Sequence, residues 1–384
     1  MKFSVLLPTR NGGPFLEHCI RSILDQDYFN MELIISDNAN SDETPHVLLK
    51  FMGDQRVKVL RLNSPVSVTE NWNNAFQVSS GEHILMMGDD DYLLPGYFEW
   101  MERLLDRYQQ PDCVIHNAYT YIAPASIGGD PRSYYNDTHY HFGSDFSEEK
   151  ILTLEQRHSI VRDMFRFRVR IPLNMQNSLI GRSAFTRVCS GVFYPPFPDH
   201  YALIALLLAA ERWVFSPEKP LVVGVSPKSF GHYVYSNRQS SGLTYLGIDL
   251  DFKGKLPGNE LLNGMHIWLD LVKRNYPRLL AGVEVDRPAY VRHQFFAWHM
   301  QRKHGAIDMK VFLNYLHLLS FSDWLGLVLS IADKPSWLRL FRQLFLGREK
   351  SNVQALWNGL QPLAGIHNIQ QFSVWISAKK VIKE

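Results

Sequence analysis

The chain has few cysteines and no long apolar run. Only Cys19, Cys113 and Cys189 occur, and their spacing matches neither a zinc site nor a disulfide framework. No stretch approaches the ~18 apolar residues that a spanning helix requires, and the apolar run after Met1 is too short for a signal peptide. These absences predict a protein of a reducing compartment, in the cytoplasm.

The chain also lacks an excess of charge of one sign. Its 40 Lys and Arg residues nearly balance its 38 Asp and Glu residues, so the formal net charge is only +2. This balance gives no support for nucleic-acid binding, and we expect no nucleic-acid partner. With 46% hydrophobic residues among 384, the chain is not disordered, and its length predicts two or three domains.

Phosphate-binding signatures are missing as well. The loop Thr9–Gly13 follows a short apolar run, but it has neither the glycine spacing of a dinucleotide site nor the lysine of a P-loop. Such a loop at the end of a strand can still cradle a nucleotide through its backbone N–H groups.

The pattern that is present is an alternation of short apolar runs and helical periodicity. Runs 3–7, 33–35, 57–62 and 84–87 read as strands, and segments of helical spacing lie between them. Four such units in about ninety residues predict an α/β fold with a mostly parallel sheet flanked by helices.

Three consecutive carboxylates follow the fourth run. Gly88 permits a tight turn, and Asp89, Asp90 and Asp91 come directly after it. Like charges this close raise one another's pKa, and a hard cation such as Mg²⁺ or Mn²⁺ relieves the repulsion. From this stretch alone, a metal site and a solvated acidic turn are both open interpretations.

Four motifs in order resemble the family-2 inverting glycosyltransferases of the GT-A fold. The resemblance covers the first ~120 residues. The motifs are Pro8-Thr9-Arg10-Asn11, then Asp37-Asn38 with Ser41 to Thr44, then Glu70-Asn71-Trp72-Asn73 with Ser80 to Glu82, and Gly88 to Asp91 with Leu94-Pro95-Gly96.

The resemblance implies roles for individual residues. Pro8, Thr9, Arg10, Asp37 and Asn71 would bind the nucleotide of a nucleotide-sugar donor, and Asp89 would face its ribose or sugar. Asp90 would bind Mn²⁺ or Mg²⁺ at the donor diphosphate, and Asp91 is a further metal ligand or sugar contact. The usual Asp-x-Asp motif, followed by another Asp, would place its first position on Gly88, which leaves open which aspartate is the main ligand.

Two later residues complete the predicted site. Asp199 stands where a loop meets an apolar helix, and the resemblance implies the catalytic base there; a helix N-cap is the other interpretation. His232, in a late loop, is either a metal or diphosphate ligand or a structural histidine.

The remainder of the chain defines three predicted segments. Residues 1–122 would form the nucleotide-sugar-binding half of a GT-A domain, and residues 123–240 the acceptor-binding half with a long irregular insertion at 122–146. Residues 241–384 would form a mainly helical region. One face of 337–345 is apolar opposite Arg339 and Arg342, which fits a membrane-interface helix or a core or homodimer helix.

The resulting expectation is an enzyme that transfers a hexose with inversion from a UDP-sugar to a carbohydrate or lipid-linked acceptor. Bacterial polysaccharide or glycolipid assembly, at the inner face of the membrane, would be its setting. A nucleotidyltransferase and an inactive nucleotide-sugar-binding protein are the alternatives. A nucleotidyltransferase normally carries a lysine in its phosphate loop, and the loop Thr9–Gly13 has none. The intact Asp89, Asp90, Asp91 and Asp199 argue against an inactive binding protein.

Overall fold

The computed structural model describes residues 3–127, 129–142, 146–189, 191–229, 245–303, 305–329 and 359–381, and the statements below concern these residues. Its strands are β1 (Phe3–Thr9), β2 (Met31–Asp37), β3 (Val57–Arg61), β4 (His83–Met86), β5 (Tyr92–Leu93), β6 (Cys113–His116), β7 (Tyr119–Ile122), β8 (Ser133–Asn136), β9 (Lys150–Leu152), β10 (Ser178–Gly181), β11 (Trp213–Ser216), β12 (Leu221–Val225) and β13 (Gln361–Leu363).

The larger sheet contains eight of these strands in the order β3-β2-β1-β4-β10-β6-β11-β9. Strand β1 pairs in parallel with β2 and β4, and β2 pairs in parallel with β3, as the sequence predicts. The register sets Thr9 beside Asp37. The polar segments that follow these strands therefore meet at one edge of the sheet.

Helices cover both faces of this sheet, which explains why its central strands are apolar on both sides. Leu16 and Ile20 of α1 pack in one hydrophobic cluster with Val5 of β1, whereas Ala75 of α3 packs in another with Leu6. The helices of this part are α1 (Gly13–Leu24), α2 (Thr44–Leu49), α3 (Val68–Val78), α4 (Tyr97–Arg107), α5 (Leu154–Met164), α6 (Arg182–Phe185) and α7 (Pro198–Ala209).

A second sheet, β13-β8-β7-β12-β5, corrects two predictions. The run Cys113–Tyr121 reads as one strand, but it divides into β6 and β7, which belong to different sheets. Asn117 makes the break, since its N–H donates to the Glu218 carbonyl and its side-chain oxygen accepts from the Ala118 N–H. The insertion predicted to be irregular contains β8, which pairs with β7 and β13.

The sequence shows helical periodicity over 152–167 with a basic flank, Arg157 to Arg170, which predicts a solvated or ion-paired face. Arg157 departs from this prediction. Its side chain is buried, and its guanidinium donates to the backbone carbonyls of Leu207, Ala210 and Glu211. The last carbonyls of a helix have no partner within the helix. Arg157 thus satisfies the end of α7 from the neighbouring helix α5.

The later helices are α8 (Glu260–Asn275), α9 (Arg287–Lys303), α10 (Met309–His317), α11 (Phe321–Leu329) and α12 (Ile369–Val381). Helical spacing at 261–272, 291–300 and 311–319 predicts helices there, and the first three of these helices confirm it. Phe372 of α12 packs on Tyr121 in the second sheet. The predicted helix at 337–345 lies outside the described residues. No single described helix is long and apolar enough to cross a membrane, while α10 and α11 pass that test together but are bent by 101°.

Candidate active site

Strands β1, β2 and β4 bring the predicted residues Thr9, Asp37 and Asp89 to one edge of the sheet. The Thr9 hydroxyl donates to Oδ2 of Asp89 at 2.7 Å, across 80 positions of sequence. On the other side, the Thr9 carbonyl accepts from the Asn38 N–H at 3.1 Å. Thr9 therefore joins the acidic turn after β4 to the polar turn after β2.

Asp91 is the structural member of the acidic triplet. It is 1% exposed, and its two carboxylate oxygens accept from the backbone N–H groups of Gly88 at 2.8 Å and Gly224 at 2.9 Å. Both oxygens are thus engaged in closing the turn and fixing it to β12. This geometry does not fit the metal-ligand role that the sequence predicts for Asp91.

Asp90 faces a loop that sequence reasoning missed. Its Oδ2 accepts from the Ser229 hydroxyl at 2.6 Å and from the Ser226 N–H at 3.2 Å. The loop can approach because β12 carries Gly224, where an added Cβ would lie 1.7 Å from the Asp90 carbonyl oxygen. The only sequence signal for this contact is a short polar cluster directly after a strand.

Lys228 belongs to the same loop and supplies a cation at the site. Its ammonium donates to the Asn11 carbonyl at 2.7 Å and lies 3.4 Å from a carboxylate oxygen of Asp42. It therefore spans from β12 to the loops that follow β1 and β2, and its charge counteracts the rise in the pKa of Asp89.

The electrostatics of Asp89 and Asp90 fit a divalent cation. Burial, and then the neighbouring Asp90 charge, raise the pKa of Asp89 to about 7. Burial also raises the pKa of Asp90, against the hydrogen bonds from Ser229 and Ser226. Two partly buried carboxylates in this state are hard oxygen ligands that Mg²⁺ and Mn²⁺ accept, usually together with phosphate oxygens. Among the described residues, no group of three His, Cys, Asp or Glu side chains is arranged to hold a metal by itself.

The backbone of Gly12 lies close to the side chains of Thr9 and Asp89. An added Cβ at this position would lie 2.8 Å from Oδ2 of Asp89 and 2.7 Å from the Thr9 hydroxyl. A side chain there would displace the contact between Thr9 and Asp89. The glycine after Asn11 thus lets the first loop pass directly over the carboxylates.

The predicted nucleoside-binding residues form a buried polar cluster. Asp37 is 1% exposed, and its Oδ1 accepts from the N–H and the side-chain amide of Asn40 at 2.9 and 2.7 Å. Asn71 is also buried and accepts from the Ser36 hydroxyl at 2.6 Å. Pro8 lies opposite Ser36 in the strand register.

An open cavity of about 520 Å³ adjoins this cluster. Its lining includes Val66, Ser67 and Ile248. Asn38, which follows Asp37, makes two hydrogen bonds with the backbone of Val66 in this lining, at 2.8 and 2.9 Å. Polar groups and a cavity at the carboxyl ends of parallel strands form the usual setting for a ligand in an open α/β sheet.

Asp199 occupies the first turn of α7 without capping it. The helix begins at Pro198, Phe197 takes the N-cap position, and no side-chain cap bond is made. Asp199 is 20% exposed and accepts from the His200 N–H at 3.0 Å. Burial raises the pKa of Asp199, as a base working near neutral pH requires. This geometry does not fit the N-cap interpretation.

His200, the residue after Asp199, packs among aromatic rings. The His200 ring lies 5.0 Å from that of Phe197 and 5.9 Å from that of Trp268 in α8, and burial lowers the pKa of His200. Helix α7 packs against α3, which carries Asn71. Asp199 thus belongs to the same side of the large sheet as α3.

Arg10 contributes to the site through its backbone rather than its side chain. The Arg10 side chain is exposed, while its backbone N–H bonds to Asp89 and opposes the rise in that residue's pKa. His232 lies outside the described residues.

Comparisons with known proteins find similarity in the first part of the chain. Residues 4–168 match the family model described as Glycosyl transferase family 2. A GalNAc(5)-diNAcBac-PP-undecaprenol beta-1,3-glucosyltransferase of Campylobacter jejuni is 39% identical over 97 residues, 25% of this chain and 31% of that protein. Glycosyltransferase GlyG of Streptococcus pneumoniae is 29% identical over 153 residues, 40% of this chain and 48% of that protein.

The matched part of this chain thus spans less than half the length of either relative. Among solved structures, S. aureus TarS 1-349 aligns with 84% of this chain and 93% of its own at 16% identity, with a TM-score of 0.48. The family model and the four-strand order β3-β2-β1-β4, with polar residues at the strand ends, agree with each other. Residues 4–168 of this chain thus match glycosyltransferase family 2, and their strand order agrees with the GT-A fold that the sequence predicts.

Proposed function

We propose that the protein is an inverting glycosyltransferase that moves a hexose from a metal-bound nucleoside-diphospho-sugar to an acceptor hydroxyl. The observation that carries this proposal is the pair Asp89 and Asp90 at the end of β4. The pair lies within a family-2 domain and is held by Thr9 on one side and Ser229 on the other. A UDP-sugar is the favoured donor.

The nucleoside of the donor would bind at the turns after β1 and β2. Pro8, Thr9, Arg10, Asp37 and Asn71 are the proposed contacts. Asp37 and Asn71 are buried and fixed by hydrogen bonds, so they can offer polar atoms without first losing side-chain freedom. The adjoining cavity near Val66 gives the ligand room.

The diphosphate would lie at Asp89, Asp90 and Lys228. We assign Mn²⁺ or Mg²⁺ to Asp90, with Asp89 beside it, and leave Asp91 in its structural role. The bound metal would supply positive charge that offsets the charge developing on the leaving diphosphate. Lys228 can donate hydrogen bonds to the same phosphate oxygens, since its side chain is 53% exposed at this edge. His232 remains a proposed ligand from a part of the chain that the structure does not describe.

Asp199 is the proposed catalytic base. An acceptor hydroxyl is a weak nucleophile, and a carboxylate that takes its proton typically accelerates transfer ~10²- to 10⁴-fold. Attack from the face opposite the diphosphate breaks the bond between the sugar and the diphosphate while the acceptor oxygen bonds to the anomeric carbon. The configuration is thereby inverted without a covalent intermediate.

The acceptor is proposed to be a carbohydrate or a lipid-linked glycan. The name of the Campylobacter relative includes PP-undecaprenol, that is, a glycan on a lipid diphosphate. Bacterial polysaccharide or glycolipid assembly at the cytoplasmic face of the membrane follows as the proposed setting, with the segments 1–122, 123–240 and 241–384 as proposed units.

A panel of nucleotide-sugars tests the proposal. UDP-, dTDP- and GDP-sugars are incubated with the protein with and without Mn²⁺, and both thermal shift and nucleotide release are measured. A ligand at ~100-fold above its dissociation constant adds about 2.7 kcal/mol to the free energy of unfolding. We expect one nucleoside class to stabilise the protein and to be released as the diphosphate in a Mn²⁺-dependent manner.

The same panel separates the alternatives. Pyrophosphate release from a nucleoside triphosphate and a sugar phosphate would indicate a nucleotidyltransferase. Stabilisation by a donor without hydrolysis or transfer to any glycan or lipid-linked acceptor would indicate an inactive binding protein. The proposal would be contradicted if no donor stabilised the protein and no donor released its nucleotide.

A further inference from the structure

The helices α10 and α11 carry an unusual concentration of exposed apolar side chains. Of eighteen large hydrophobic side chains that are exposed in the described residues, eight fall within the 21 residues 309–329. These are Met309, Leu313, Leu318, Phe321, Trp324, Leu325, Val328 and Leu329. Contiguous exposed apolar surface of this kind marks an interaction site.

The opposite faces of both helices are already packed. Phe312 and Tyr315 of α10 contact aromatic rings of α9, and Gly326 of α11 lies against Pro288, where an added Cβ would be 3.3 Å away. The helical period thus divides each helix into an inner face that is satisfied within the chain and an outer face that is not. The exposed side chains therefore belong to the outer faces and do not pack in the core of this chain.

Residues 309–329 contain no exposed carboxylate, and the exposed Asp308 that precedes them caps α10 by accepting from the Val311 N–H at 2.7 Å. Asp323 is the only acidic residue between 309 and 329. It is buried and paired with Arg287, Nε to Oδ1 at 2.9 Å and Nη2 to Oδ2 at 3.0 Å. Lys310 on α10 and Lys303 at the end of α9 are exposed, and Arg302 lies over the Phe312 ring at 5.5 Å. In the described residues, the exposed cations near the apolar surface thus outnumber its one neighbouring exposed carboxylate, Asp308.

We infer that the outer face of α10 and α11 docks onto the surface of an anionic lipid bilayer. An interfacial helix buries its apolar face at the level of the acyl chains while basic residues contact the headgroups. Each Lys or Arg near an anionic leaflet adds a further, salt-sensitive attraction. Trp324, with one apolar body and one N–H donor, suits the same boundary.

A second copy of this chain fits the surface less well. A two-fold interface sets the same patch against itself. Lys303 and Lys310 would then approach their own copies, and residues 309–329 offer no exposed carboxylate to offset them. Anionic headgroups supply the missing opposite charge. This inference does not depend on the proposed catalytic function, because it concerns residues outside the active site.

Vesicle co-sedimentation of the full chain tests the inference directly. Vesicles of phosphatidylcholine alone are compared with vesicles containing 30% phosphatidylglycerol, a composition on the order of an anionic leaflet. We expect binding to the anionic vesicles that weakens as salt is raised. The variant Phe321→Glu with Leu325→Glu should lower the partition coefficient at least tenfold, because two carboxylates would enter the apolar boundary.

Two further variants keep the test falsifiable if that double variant folds poorly. Leu49→Glu with Val374→Glu adds the same charge at exposed apolar positions outside the patch, and should reduce binding much less. Lys303→Gln with Lys310→Gln should reduce binding to anionic vesicles and lessen its dependence on salt. Absence of wild-type binding to anionic vesicles overturns the inference. So does a dimer that Phe321→Glu with Leu325→Glu dissociates while vesicle binding is unchanged.

Discussion

The two halves of the candidate site are built in different ways. The residues from β1, β2 and β4 stand at strand ends and are fixed by neighbours on adjacent parallel strands, as Thr9 fixes Asp89 and as Thr9 faces Asp37. Asp199 and the loop after β12 instead depend on distant segments. His200, which follows Asp199, packs against Trp268 of α8, and Ser229 donates a hydrogen bond to Asp90 across 139 positions.

The difference explains what each half contributes. The carboxyl ends of adjacent parallel strands lie at one edge of the sheet, so the polar residues that follow them meet there. The proposed nucleotide-binding residues are therefore positioned by strand order. The base and the loop are placed by packing of later helices and strands. We therefore expect variants of the strand ends and of the loop after β12 to disturb the binding of donor and metal, and variants of Asp199 to disturb transfer.

Asp199→Asn should have the largest effect. The amide cannot accept a proton, so kcat is expected to fall ~10²- to 10⁴-fold while the KM for the donor stays the same. Transfer to an acceptor and donor KM are measured together. An unchanged kcat would mean that another residue is the base, and the two halves would then not differ in function as proposed.

The wild-type pH profile sharpens this prediction. Burial raises the pKa of Asp199 above its ordinary value, and only the deprotonated form can act as base. Activity should therefore decline as pH falls through that raised pKa, at a higher pH than a solvent-exposed aspartate would give. The measurement is kcat against pH at saturating donor and metal.

Asp90→Asn should lower metal-dependent turnover about 10²- to 10³-fold, since a metal contributes several kcal/mol of charge stabilisation. Asp91→Asn is the matched control. It should lower the melting temperature, because the backbone amides of Gly88 and Gly224 lose one charged acceptor, yet leave the response to Mn²⁺ in place. The reverse pattern would exchange the roles of the two aspartates.

Much of the first half was predictable from the sequence, and the reason is local. Strands such as Phe3–Thr9 follow from apolar runs, and the polar residues after them follow from chain order. The split of Cys113–Ile122 into two sheets was not predictable, because it depends on the Glu218 carbonyl that pairs with Asn117. The structural role of Asp91 likewise depends on Gly224, which is 133 positions away.

Arg157→Gln should lower the free energy of unfolding by about 2–3 kcal/mol, because several buried carbonyls at the end of α7 lose a charged donor. Its control is Arg166→Gln just beyond the end of α5, where the arginine is 61% exposed and a change within about 0.5 kcal/mol is expected. Urea denaturation measures both. Equal effects would mean that the basic segment is a solvated face after all.

Lys228→Ala should give the smallest effect, about a fivefold rise in donor KM, since an exposed ammonium adds on the order of 1 kcal/mol to phosphate binding. Lys228→Arg should recover most of the loss because it keeps the charge. Steady-state kinetics with varied donor measures this. A change in kcat with no change in KM would assign the loop to transfer rather than to the diphosphate.

Calorimetric titration of UDP, in Mn²⁺ and in EDTA, tests the central claim most directly. For the wild-type protein, the account predicts at least tenfold tighter binding in Mn²⁺, by analogy with other metal-bridged diphosphates. It also predicts that Asp90→Asn binds UDP equally in both buffers. Mn²⁺-dependent binding that survives in Asp90→Asn would contradict the assignment of the metal to the carboxylate at the end of β4.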